Sequence, residues 1–350
     1  MCKTLSHNNK VIVASAGSRK TTCIVEEALF LTNKNVLITT YTNENLEQIH
    51  SYIIQKNGCI PQNITILSWY SFLLQDGVRP YQKSVTQKGR VNSIIFKDIP
   101  IQLQRIKKSN IDKYFFTEGN DIFRDRVSDF VCYVDDRSSG AVINRLQRIY
   151  DYIFIDEVQD FAGYDLNFLE KLFNSSINIV AVGDPRQATL STNNSLKNKK
   201  YKKTFIFDWI ARKQTEGLVV IEERNECYRC NQHICDFGDS LFPSLPKTIS
   251  KNTDITGHDG IFYLEKKDVI AYVNQYKPTI LRYSKKTDTM NLKAVNIGLS
   301  KGRTYERVVV FPTKPMLIYL NTNDISKAGD ISKLYVAVTR AKYSVAFVKK

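Results

Sequence analysis

Apolar and polar positions along the chain fall into short runs whose period changes. Residues 11–17 (VIVASAG) form a nearly unbroken apolar run that ends in a glycine, as a strand buried on both faces does. The next stretch, TTCIVEEALFL, spaces its apolar positions for a helix, and NVLITTYT followed by ENLEQIHSYIIQ repeats the pair. This β–loop–α–β–α rhythm predicts a parallel sheet with helical crossovers. The rhythm lapses over roughly 76–148, where basic, polar and aromatic residues mix (KKSNIDKYFF, FRDRVSDFVCYV), and a small helical insertion is expected there. It returns in YIFIDE and INIVAVGD, two apolar strands that end in acids, then in GLVVIEE and a helix over NECYRCNQHICDFGDSLF. The segment LFPSLPKTISKNTDITGHDG carries two prolines and many turn formers, and reads as a linker. Beyond it come strands at GIFYLE, TILRYS, RVVVFPT and SVAFVKK, with helices at KKDVIAYVNQ and KLYVAVTRA. The expectation is an α/β fold of two lobes, 1–245 with the insertion and 246–350.

Charge narrows the partners. Fifty lysines and arginines against 35 acids give a formal net charge of +15. A polyanion is the natural partner for such a surface, because each neutralised phosphate releases counterions. The seven cysteines are scattered and odd in number, which fits reduced thiols in a cytoplasmic protein rather than a disulfide framework. The first residues, MCKTLSHNNK, show no apolar signal core, and no apolar run approaches the ~18 residues of a membrane span.

The turn from the first strand into the first helix is Ala14-Ser15-Ala16-Gly17-Ser18-Arg19-Lys20-Thr21-Thr22. Backbone N–H groups in such a turn can wrap phosphate oxygens, helped by the helix N-terminus. Lys20 is then placed to reach the β- and γ-phosphates of ATP, and the Thr21 hydroxyl to ligate Mg²⁺. Ala14 and Arg19 stand where the strict G-x-x-x-x-G-K-[ST] pattern has glycines, and a side chain at 19 either crowds the phosphates or takes an awkward φ. Downstream, Asp156-Glu157-Val158-Gln159-Asp160 follows the strand YIFI. Asp156 is a candidate for the Mg²⁺ shell and Glu157 for polarising the attacking water.

These segments occur in a set: AGSRKTT, TTYTN, ILSWYSF, DEVQD, GDPRQATLST, ECYRC, GLSKGRTYERVVVFPT and LYVAVTRAK. In this order they resemble the UvrD/Rep-like superfamily 1 helicases over nearly the whole chain. A plain P-loop kinase would need neither a second lobe nor the arginine of TRA. The resemblance implies two RecA-like P-loop NTPase lobes that bind ATP and Mg²⁺ and travel 3′-to-5′ on single-stranded DNA. It implies that Gln187 senses the γ-phosphate, that Tyr228 stacks on adenine, and that Arg229 and Arg340 are arginine fingers. ATP would then bridge the lobes. It also implies strand contacts at Tyr41, Thr42, Asn43, Ser68, Trp69, Tyr70 and Lys301, with support of its own loop as the alternative for Lys301 and with Phe72 read as core. Stacking on aromatic faces suits a motor that must accept any sequence. The basic run 197–203 is read as a solvated loop, with backbone binding as the alternative.

The chain departs from that family at four places. The upstream glutamine segment that reads adenine has no room before the first strand. Arg19 replaces a glycine. Leu190-Ser191-Thr192 stands where the family has an aromatic W-x-R, so one stacking surface is missing. Thr304 stands where a glutamate usually meets the ribose. The accessory regions are also small, which points to weak unwinding alone or to a protein partner such as a nuclease or other DNA-processing subunit. The spacing of Cys227, Cys230, His233 and Cys235 is too tight for familiar zinc modules. Two further readings stay open beside a DNA motor: a catalytically weak, nucleic-acid-binding regulatory subunit, and an RNA motor.

Overall fold

The computed structural model describes residues 9–349, so Cys2 lies outside the described residues. The chain divides into two compact units. The first is formed by 9–13, 20–185 and 190–222, the second by 14–19, 186–189 and 223–349.

In chain order the first unit runs β1 (Lys10–Ala14), α1 (Lys20–Phe30), β2 (Val36–Thr40), α2 (Asn43–Asn57), β3 (Ile64–Ser68) and α3 (Trp69–Phe72). The insertion follows: β4 (Ile94–Ile95), α4 (Ile101–Gln104), α5 (Ile111–Phe115), β5 (Ile122–Phe123), α6 (Arg124–Arg137) and α7 (Ala141–Ile149). The unit closes with β6 (Tyr152–Ile155), α8 (Tyr164–Phe173), β7 (Asn178–Gly183), α9 (Ile206–Thr215) and β8 (Val220–Arg224). The main sheet has the order β3-β2-β6-β7-β1-β8. Its β3–β2, β2–β6, β6–β7 and β7–β1 pairings are parallel, as the β–α alternation predicts. Parallel strands bury both faces, and Val11, Leu37, Ile153, Ile155, Ile179 and Ala181 all lie in one core.

Local chemistry sets the element ends. The Thr42 hydroxyl accepts from the Asn45 N–H (3.2 Å) to cap α2, and Gly58 ends that helix in a left-handed turn, its N–H donating to Ile54 O at 2.8 Å. The insertion is helical, with one addition: β4 and β5 pair in parallel. Helix α6 buries Val127, Phe130, Val131 and Val134 and packs on α8, so the insertion is anchored to the same core as the sheet.

The second unit contains β9 (Glu226–Cys227), α10 (Gln232–Ser240), β10 (Ile249–Ser250), β11 (Gly260–Leu264), α11 (Val269–Tyr276), β12 (Thr279–Arg282) and β13 (Ala294–Asn296). It continues with β14 (Tyr305–Phe311), α12 (Lys314–Thr322), α13 (Ile331–Val338) and β15 (Ala341–Val348). Its sheet, β11-β15-β14-β12-β13, is parallel throughout. Residues 223–245, grouped with the first lobe by sequence, belong to this unit. The expected linker is structured in part: β10 pairs with β9, and Thr248 bonds the Asp239 carboxylate through its N–H (2.6 Å) and hydroxyl (2.9 Å). The helix expected from Asn225 starts only at Gln232. Glu226 and Cys227 are held in the β9–β10 ladder, and the Asn231 side chain caps α10 by accepting from the Ile234 N–H at 3.2 Å.

Candidate nucleotide and nucleic-acid sites

In the first unit the parallel strands bring their C-terminal ends to one edge of the sheet, the edge where α/β folds place ligand sites. Lys20 and Thr21 open α1, and Asp156 and Glu157 follow β6. The Thr21 hydroxyl donates to Asp156 Oδ2 at 2.8 Å. The Asp156 carboxyl is 1% exposed, and its pKa is pushed up to about 7, first by burial and then by the neighbouring Glu157 charge. The Thr21 bond and the Lys20 charge work against that rise. Two adjacent buried carboxyls beside a hydroxyl are a donor set that suits a hard divalent cation with oxygen ligands.

Glu157 adopts a left-handed backbone (φ 58°), which an L-residue keeps only when its surroundings enforce it. The Glu157 N–H donates to Asp156 Oδ1 at 2.9 Å. Its carboxylate accepts from Asn45 Nδ2 (3.4 Å) and from the Gln159 side-chain amide. Gln159 Oε1 accepts from the Asp184 N–H at 3.1 Å, tying Glu157 to the turn after β7.

In the second unit the phosphate-loop residues 14–19 pack with β9 and α13. Gly17 has φ 75°, and a Cβ there would lie 2.7 Å from Cys227 Sγ and 2.8 Å from Arg229 Cβ, so only glycine fits. The Ala16 N–H donates to the Tyr335 hydroxyl at 3.2 Å, and the Gly17 carbonyl accepts from the Tyr228 N–H at 2.9 Å. Ala16, expected to offer its N–H to phosphate, thus has that group engaged by protein. Ser18 is buried, and its hydroxyl has no hydrogen-bond partner, which suits a loop that holds phosphate oxygens. Arg19 takes the awkward φ (61°), but its side chain is exposed and its guanidinium lies over the Tyr228 ring, 4.2 Å from the centroid. The Tyr228 hydroxyl donates to Glu226 Oε2 at 2.6 Å. Arg340 is buried, donating from Nη2 to Gln187 Oε1 (3.0 Å), from Nε to Val336 O (3.2 Å) and from Nη1 to Arg303 O (3.3 Å). Arg229 Nη1 donates to Thr339 O at 3.1 Å. Gln187, Arg229 and Arg340 therefore share one hydrogen-bonded neighbourhood around the end of α13.

The expected strand contacts divide. Tyr41 is half-buried and Asn43 exposed, while Thr42 and Ser68 serve as helix caps. Trp69 has no exposed surface. Its Nε1 donates to Asp165 Oδ1 at 2.8 Å and its ring packs on Phe161 with centroids 4.3 Å apart. Trp69 is core, as is Phe72, and its reading as a strand contact is corrected. Tyr70 is 5% exposed and its hydroxyl donates to Thr192 O, so it supports the surface instead of forming it. Lys301 is 7% exposed, which corrects its reading as a surface contact and agrees with the alternative, a lysine that belongs to its loop.

A family model described as the viral superfamily 1 RNA helicase core domain matches residues 107–349, and an AAA domain model matches 1–192. The chain belongs to the superfamily 1 helicases. The ATP-dependent DNA helicase Rep of Buchnera aphidicola (subsp. Schizaphis graminum) is 25% identical over 231 residues, 52% of this chain and 35% of Rep. Among solved structures, the arterivirus nonstructural protein 10 helicase aligns with a TM-score of 0.51 at 14% identity, covering 97% of this chain and 59% of that one. The same protein in complex with DNA aligns at 0.52 and 14%, covering 97% and 61%. This helicase thus spans about a third of the length of Rep and three-fifths of the arterivirus chains, and the latter likeness concerns the fold.

Two residues of the helicase site were not singled out by sequence: Asn45 and Gln159, which hold Glu157. Gln159 lies inside DEVQD, but its bridging role depends on β7 ending beside β6, a contact that no local pattern encodes. Cys227, Cys230 and Cys235 are buried in the second unit, and hydrogen bonds from the other two thiols pull the Cys227 thiol down. Among the described residues no group of three or more His, Cys, Asp or Glu side chains is placed to hold a metal ion. Among the same residues no helix is long and apolar enough to cross a membrane.

Proposed function

We propose that this helicase core is an ATP-driven motor that moves 3′-to-5′ along single-stranded DNA. The observation that carries the reading is the Thr21–Asp156–Glu157 arrangement, a hydroxyl and two buried carboxyls beside the lysine that opens α1. Thr21 and Asp156 would hold Mg²⁺, whose charge offsets the two acids and the phosphates. Glu157, fixed by Asn45 and Gln159, is the group that accepts a proton from the attacking water. Lys20 supplies positive charge to the phosphates, and Arg340 and Arg229 supply guanidinium charge that stabilises transfer. The Gln187–Arg340 bond supports a linked response of sensor and finger to the γ-phosphate. Tyr228 is the adenine-stacking candidate, a residue 41% exposed.

A weak regulatory subunit, motivated by Arg19 and by the missing adenine segment, is less well supported on the first count, because the exposed Arg19 side chain lies over Tyr228. RNA is the second reading of the strand, favoured by the description of the matching family model. DNA is preferred on the match to Rep, a DNA helicase. A protein partner such as a nuclease remains part of the proposal on the strength of the small insertion alone. The test is ATP turnover titrated with single-stranded DNA, single-stranded RNA and duplex. Stimulation by single-stranded DNA above the other two supports the reading. Equal turnover with and without any strand overturns it, and stimulation by RNA alone replaces DNA with RNA. Displacement of a blocking protein from one labelled end of the strand reads the direction.

A further inference from the structure

An aromatic row in the first unit runs past Tyr70. Phe96, the residue after β4, meets the Tyr70 ring at 5.1 Å between centroids with planes at 88°. Tyr70 in turn meets Tyr41 at 5.8 Å and 61°. Along this row burial falls away: Tyr70 is 5% exposed, Tyr41 half-buried, and Phe96 59% exposed. Single exposed apolar side chains are ordinary. Phe96 differs in being the open end of a row of edge-to-face rings, directly after a strand held by β5.

The place of this ring matters more than its exposure. The loop 190–192 lacks the aromatic platform expected there, and the structure shows what it does instead. The Thr192 hydroxyl accepts from the Ala162 N–H (3.0 Å) and its N–H donates to Asp160 O (2.8 Å). Its carbonyl accepts from the Tyr70 hydroxyl. Thr192 is fully buried and serves the fold. Phe96 therefore touches the same tyrosine that secures the loop lacking a platform. Exposed positive charge lies next to the ring in sequence: Lys97 follows Phe96.

We propose that Phe96 is a nucleobase-stacking platform for the single strand, taking the part that residues 190–192 do not supply. The inference rests on the motor reading above and adds a binding residue to it. A base has an apolar face whatever its identity, so a single exposed ring gives grip without sequence preference. Such a contact adds no charge, so it changes affinity without changing the number of counterions released.

The experiment measures binding of a fluorescent oligothymidylate to the full chain for wild type, Phe96→Ala, Phe96→Trp and Ile101→Ala. Ile101 is a somewhat more exposed apolar residue of the insertion, 68% accessible, and controls for loss of apolar surface. Phe96→Ala is expected to weaken binding at least about fivefold with the same slope of log K against log salt. Phe96→Trp is expected to bind as wild type, with its indole fluorescence quenched on saturation, and Ile101→Ala to bind as wild type. Wild-type affinity in Phe96→Ala, or an indole at 96 whose emission ignores the strand, overturns the inference while leaving the motor standing. Absence of strand binding by the wild-type chain overturns both.

Discussion

Arg19 sits in a left-handed conformation (φ 61°) that costs an L-residue about 1 kcal/mol, yet its guanidinium is turned onto Tyr228. The residue therefore strains the phosphate loop without filling it. Arg19→Gly is expected to leave strand-stimulated ATP turnover within about threefold of wild type and to stabilise the chain slightly, by up to about 1 kcal/mol. A large gain in turnover would show instead that the arginine obstructs the site and that the chain is a decayed motor. Gly17 makes the opposite case. Gly17→Ala places a Cβ against Cys227 and Arg229 in a backbone conformation that alanine disfavours. The expected loss is about 1–3 kcal/mol of stability, read from denaturant unfolding, with reduced turnover as Arg229 shifts. Unchanged stability would mean that the loop moves away from Arg229 at little cost.

At the scale of elements, α3, α6 and α8 meet at one buried acid. Asp165 accepts from Trp69 Nε1 and from the Ser128 hydroxyl, and burial pushes its pKa up. An acid whose folded pKa exceeds its unfolded value stabilises the fold below the unfolded pKa, and loses that contribution as pH rises through the folded value. The asparagine variant lacks this titration. The stability difference between Asp165→Asn and wild type should therefore move in favour of the variant as pH increases from 4 upward, measured by thermal unfolding across the range. A difference independent of pH would contradict the assigned shift. This element also shows where sequence reading stops. ILSWYSF reads as a strand-contact segment, but the pattern cannot say which aromatic faces solvent. Trp69 is buried because α6, α8 and the turn before α8 supply Ser128, Asp165, Phe168 and Phe161 around it, and three of those come from nearly a hundred residues away. Phe96 was missed for the converse reason: its neighbour Tyr70 is distant in sequence, and its own segment has no helical or strand period long enough to read.

For the whole molecule, the two parallel sheets were legible because buried strands leave unbroken apolar runs and the acids after YIFI and INIVAVG mark strand ends. The unit boundary was less legible. Residues 223–245 look like a continuation of the first sheet's rhythm, yet Cys227, Cys230, Ile234 and Cys235 pack into the second core. The net charge of +15 acts at this scale too. Binding to single-stranded DNA is expected to weaken at least about tenfold between 50 and 200 mM salt, since the slope of log K on log salt is about −0.7 per phosphate neutralised. A salt-independent affinity would assign the excess charge to solubility rather than to the strand.

The chemistry assigned to the carboxyl pair can be tested in one comparison, ATP turnover by wild type and Glu157→Gln with and without single-stranded DNA, alongside nucleotide binding. Turnover is expected to be stimulated by the strand in wild type and to be at least about a hundredfold lower in Glu157→Gln, with nucleotide still bound by both. Equal turnover in the two chains would contradict that chemistry, because no proton acceptor at position 157 would then be needed for hydrolysis.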